Sequence, residues 1–175
     1  MRQLDVRERG RVVVEDDTLR LTAEEGRVDD RPQLEPEGLV ILGRAPINRC
    51  NTGGATPGAV QCQNAVEGVT SPDALYGGAI ANDRSGKLEY VQVRFAGFAI
   101  NSAGNELNGI TMAGVGSETE VDFIQVHNNE DDGIELFGGT VNLRHVVLTG
   151  NKDDSFDTDN GWNGGVIHRT APGTQ

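Results

Sequence analysis

The 175-residue sequence is short of aromatic side chains, of cations, of cysteine and of long apolar runs, and each shortage excludes something. Aromatic residues make up 5% of the chain while glycine occurs 24 times, a balance that favours a turn-rich all-β fold over a helical one. Fifteen Lys and Arg stand against 27 Asp and Glu, giving a formal net charge of −12. Phosphate binding requires clustered cations, so nucleic acid is excluded as a partner, and an anionic membrane surface is excluded on the same ground. No apolar stretch approaches the roughly 18 residues that a membrane helix needs, so no membrane span is expected. The first nine residues carry charges where a secretory signal carries apolar residues, so no signal peptide is read there; an export signal has been removed, or the chain stays inside. Only Cys50 and Cys62 are present, twelve apart in a glycine-rich stretch without further metal-ligand companions. That disfavours a zinc site and leaves a local disulfide, which suits an oxidising compartment, or two free thiols.

What the chain does contain is a repeat. Residues 121–139 lie over residues 143–161 at a constant offset of 22, with no insertion. Val121, Ile124 and Val126 fall on Leu143, Val146 and Leu148, while Asn129 falls on Asn151, Asp131 on Asp153, Asp132 on Asp154 and Gly139 on Gly161. A period in the low twenties suits one coil of a β-solenoid, whose repeats bury their apolar face only by stacking. Stacked strands lie about 4.8 Å apart, so equivalent residues form ladders. An earlier copy places Leu88, Val91 and Val93 over Val121, Ile124 and Val126 at an offset of 33, with the extra residues in a loop near 98–105.

A second strand motif occurs four times: GLVILG from Gly38, GITMAG from Gly109, GIELFG from Gly133 and SFDTDN from Ser155. Alternation points Leu39, Ile110, Ile134 and Phe156 inward, with Ile41, Met112, Leu136 and Thr158 as a second inward row. The expected organisation is an N-terminal segment over residues 1–36, with short strands near 11–15 and 18–22 and a charged loop, followed by a solenoid domain over 37–175. Residues 48–85 form an excursion too long for a simple connection, held to the solenoid if Cys50 and Cys62 are paired. Val166 begins a further strand. Open solenoid ends expose strand edges and apolar rows, and self-association with a second copy of the chain is one way to cover them.

The ladders concentrate acid. Asp131 and Asp153 beside Asp132 and Asp154 bring four carboxylates to one edge, with Glu135 and Asp157 on the following strand and Asp159 close by. Poorly solvated like charges at ladder spacing repel by several kcal/mol, on the order set by Coulomb's law. Water, protons or a cation must therefore balance them. Calcium is the first candidate, because it takes six to eight oxygens at roughly 2.3–2.6 Å from irregular carboxylate and carbonyl sets. Solvated turns are the competing reading, since Asp, Asn and Gly are ordinary turn residues. The spacing matches neither the helix-loop-helix calcium loop nor the glycine-rich nonapeptide calcium repeat.

Seven segments then carry a resemblance: GLVILGRAPIN from Gly38, YGG from Tyr76, DRSGKLEYV from Asp83, FAG from Phe95, GNELNGIT from Gly104, VHNNEDDGIE from Val126 and NKDDSFDTDNGW from Asn151. In order and wording they resemble a widespread family of exported bacterial lipoproteins and surface proteins, often labelled "multidrug transporter". The resemblance covers residues 37–162; residues 1–36 and those after Trp162 depart from the family pattern. It implies a short, right-handed parallel β-helix with long loop insertions, placed outside the cell, at its surface or in the periplasm, and without an assigned chemical activity. The leading expectation is a non-enzymatic, calcium-stabilised module that binds a glycan or a surface protein through loops 51–78 and 98–105. The alternative is a polysaccharide lyase or glycoside hydrolase of the pectin-degrading β-helix type. There the paired acids would work as acid and base, or Arg144, Lys152 or His127 would take a proton beside calcium. The Gly-His-Gly and Arg-x-Lys companions of such enzymes are absent from the sequence, and no catalytic set is assigned.

Overall fold

The computed structural model describes residues 38–170 other than Gly68, Thr70 and residues 100–105. The expected segment 1–36 and most of the loop 98–105 lie outside the described residues. In chain order the elements are β1 (Leu39–Leu42), β2 (Asn64–Ala65), a 3-10 turn (Pro72–Ala74), β3 (Leu75–Tyr76), β4 (Lys87–Arg94), β5 (Phe98–Ala99), β6 (Glu106–Leu107), β7 (Ile110–Ala113), β8 (Glu120–His127), β9 (Ile134–Phe137), β10 (Asn142–Thr149), β11 (Phe156–Asp159) and β12 (Val166–Thr170).

Two four-stranded parallel sheets carry the fold, one ordered β1, β7, β9, β11 and the other β4, β8, β10, β12. The chain visits them in alternation, so each coil gives one strand to each sheet: an all-β parallel β-helix. In the first sheet Leu39, Ile110, Ile134 and Phe156 share one row, and Ile41, Met112, Leu136 and Thr158 the other. Opposite them stand the rows Leu88, Val121, Leu143; Val91, Ile124, Val146; and Val93, Val126, Leu148. These rows meet in one core, and each fully buried Leu, Ile or Val contributes roughly 1.5–3 kcal/mol by leaving water. Thr158 departs from the inward expectation and is exposed, because β11 is the last strand of its sheet and no further strand lies over it. At that end Trp162 meets the Phe156 ring edge-on at 5.7 Å and donates its indole N–H to Val141 O at 3.1 Å, closing the core with an aromatic pair.

The strands of the second sheet bend. Their inward residues are spaced three and then two, as in Leu88, Val91 and Val93, because Tyr90, Phe123 and His145 adopt φ of 57°, 52° and 46°. A left-handed residue turns the corner while keeping both flanks facing the core, at roughly 1–2 kcal/mol for a residue with a Cβ. Ring stacking offsets that cost, with Tyr90 on Phe123 at 4.7 Å and Phe123 on His145 at 4.5 Å. At the next corner Asn129 and Asn151 are buried, and Asn129 N donates to Asn151 Oδ1 at 3.2 Å across the 22-residue repeat.

The excursion between β1 and β4 lies along the outer face of the first sheet. Cys50 and Cys62 are joined by a disulfide. Cys62, Ile47 and Tyr76 pack against Ala113 and Phe137, which alternation turns away from the core. Backbone bonds then tie the excursion to successive coils, with Gly139 N donating to Pro46 O at 2.9 Å and Asn48 N to Asn160 O at 3.0 Å. Replacing both cysteines by serine is expected to lower stability by about 3 kcal/mol, the entropy of a loop this short in the unfolded chain. Urea unfolding measures it; a loss below about 0.5 kcal/mol would mean that the apolar cluster alone seats the excursion.

Candidate metal centre

The alternation that points Ile110, Ile134 and Phe156 inward turns Thr111, Glu135 and Asp157 to the other face as a neighbouring ladder on the first sheet. The turns leading into β9 and β11 bring Asp131, Asp132 and Asp153 to the same place. Two groups result: Asp131, Asp132 and Asp153, and Asp132, Glu135 and Asp157, with one carboxylate oxygen per residue lying within 4.8 Å of the others in its group. Asp132 belongs to both. Two oxygens each about 2.4 Å from a calcium ion lie at most about 4.8 Å apart, so either group is compact enough to share one ion.

Backbone constraints hold Asp132 there. The next residue is Gly133, where a Cβ would come within 2.6 Å of Ser155 O and 2.3 Å of Asn151 Nδ2; only glycine allows the coils to approach this closely. Asp132 Oδ1 accepts the Asp154 backbone N–H at 2.8 Å, which fixes the carboxylate between coils.

The charges are strained. Burial, reinforced by the Asp131 charge, pushes the Asp132 carboxyl up to about 7. Burial also pushes Glu135 up to about 8; the charges of Asp132, Asp157 and Glu67 add to it, while the Asn108 amide pulls the other way. Carboxyls raised this far hold protons near neutrality, and a divalent cation is the natural replacement for those protons.

Of the acids picked out in the sequence, Asp131, Asp132, Glu135, Asp153 and Asp157 are brought together. Asp154 and Asp159 belong to neither group. Asp154 contributes its N–H, and Asp159 Oδ1 accepts Asn160 N at 2.7 Å at the far end of β11. The proposed base positions are engaged or exposed: His127 Nδ1 meets Thr149 Oγ1 at 2.7 Å, Lys152 pairs with Glu130, and Arg144 is exposed on β10. Sequence reasoning missed Asn108, Thr111 and Glu67. For Asn108 a signal existed, because it occupies the same ladder position as Asp132 and Asp154, each followed by the small residue that opens a strand motif. Glu67 belongs to the excursion, where no repeat points to it.

Among the described residues, no helix is long and apolar enough to cross a membrane. No curated protein and no solved structure matches the chain. A family model described as a pectate-lyase-like beta helix domain matches residues 27–171. That match covers every strand of the two parallel sheets and the acidic shelf that the two carboxylate groups form beside the first of them, and the chain belongs to the pectate-lyase-like beta-helix domain family.

Proposed function

We propose that this chain is a calcium-stabilised β-helix module of the cell surface or periplasm that binds a glycan or a protein partner and does no chemistry of its own. One observation carries the metal part: five carboxylates from two coils, in two compact groups that share Asp132. An ion there would neutralise charges that the fold otherwise leaves to protons. The partner surface we assign to the disulfide-tethered excursion, which presents Val60 and Ile80 to solvent at 68% and 53% exposure. Calorimetric titration of calcium into chelator-treated protein should give saturable binding that Asp132→Ala abolishes, since both groups lose their common member. No heat, together with no calcium in a dialysed sample, would end the metal reading.

A second reading is kept for one reason. Carboxyls that titrate near neutrality are what general acids and bases require, and Asp132 and Glu135 are such a pair. Polygalacturonate and alginate are the substrates to try, with unsaturated products and new reducing ends as readouts. We expect neither. Turnover that disappears in Asp132→Ala and in Glu135→Ala would reverse the order of the two readings.

A further inference from the structure

We infer that Asn108 is a positioning residue for Glu135 in the cation site, an inference that rests on the calcium reading above. Asn108 is 4% exposed. Its amide nitrogen donates to Glu135 Oε2 at 2.5 Å and to Thr111 Oγ1 at 3.2 Å, so the buried side chain is aimed at the acidic shelf. Its carbonyl oxygen, equally sealed, has no hydrogen-bond partner among the described residues. A buried carbonyl without a partner opposes folding, and Asn129, Asn151 and Asn160 each bury one such amide atom too; what sets Asn108 apart from them is the carboxylate that its nitrogen meets. What the amide supplies is a donor. Held by this bond, the Glu135 carboxylate keeps a fixed rotation, with one of its oxygens within 4.8 Å of a carboxylate oxygen of Asp132 and of Asp157. An acid at position 108, following the pattern of Asp132 and Asp154, would instead add a further like charge beside Glu135.

A double-mutant cycle in calcium affinity tests this, using full-length protein with Asn108→Ala, Glu135→Ala and the pair. With Glu135 present, Asn108→Ala should weaken calcium binding roughly tenfold, the usual effect of removing a hydrogen-bond partner behind a metal ligand. In the Glu135→Ala background the same substitution should change affinity by less than about twofold, since coupled residues lose their effect together. Chelator-treated Asn108→Ala should melt within a few degrees of the parent. Equal losses in both backgrounds, or no loss with Glu135 present, would overturn the assignment. Should Asn108→Ala not fold, Asn108→Ser, whose hydroxyl stops short of Glu135, carries the same prediction. A parent protein that binds no calcium overturns the calcium reading and this inference together, whereas a parent that binds and an Asn108→Ala variant that binds equally well overturns this inference alone.

Discussion

At pH 8, calcium at a hundredfold excess over its dissociation constant should raise the melting temperature by about 5–10 °C, because such binding adds about 2.7 kcal/mol and a domain of this size gains about 2–4 °C per kcal/mol. At pH 5 the gain should be less than half as large. The pH dependence follows from Asp132 and Glu135, whose carboxyls are pushed up to about 7 and about 8 from ordinary values of 3.8 and 4.5. Between roughly pH 4 and pH 8 the folded protein therefore binds more protons than the unfolded chain, and stability must fall as pH rises through that window. Below it both states are protonated and nothing further is gained. Calcium takes the place of the protons, so it should help most where they have been lost. Differential scanning calorimetry from pH 5 to pH 8, with chelator and with calcium, reads both effects. A chelator-treated protein whose melting temperature does not fall with pH would mean that these carboxyls are not strained.

The second large effect belongs to the core. Ile134 is fully buried in the row between Ile110 and Phe156, and truncating a buried Ile removes both its transfer energy and the packing around the cavity. Ile134→Ala should cost about 3–5 kcal/mol in urea unfolding. Thr158→Ala, in the neighbouring row over Leu136 but on the exposed last strand, should fall within about 0.5 kcal/mol of the parent. Similar costs at the two sites would contradict the stacking that makes one a middle rung and the other an end.

Much of the fold was legible in the sequence because a solenoid repeats its own evidence. The 22-residue offset between Val121 and Leu143 became a strand pairing in register, and the offset of 33 between Leu88 and Val121 did the same despite an intervening insertion. What the offsets did not reveal was local. Thr158 shares its ladder with Ile41, Met112 and Leu136, yet burial depends on a neighbouring strand that periodicity cannot supply at the end of a sheet. Tyr90, Phe123 and His145 adopt a left-handed backbone for which their residue types give no signal, since such dihedrals are ordinarily those of Gly, Asn or Asp. At the shelf, the acids of two adjacent coils were found because they repeat. Asn108 was not, because the same ladder position holds an amide one coil earlier, and a search for acids passes over it. Glu67 adds its charge to Glu135 from the excursion, whose path over the first sheet is set by the packing of Tyr76 and Cys62 on Phe137 rather than by any repeat.

The most direct measurement is a crystal structure grown with calcium near pH 8 and phased to locate the metal by anomalous scattering. A single peak should lie about 2.3–2.6 Å from an Asp132 carboxylate oxygen, with Glu135 and Asp157 or Asp131 and Asp153 completing its coordination. A map without that peak, showing the carboxyls of Asp132 and Glu135 bridged by water or sharing protons with their neighbours, would contradict the account.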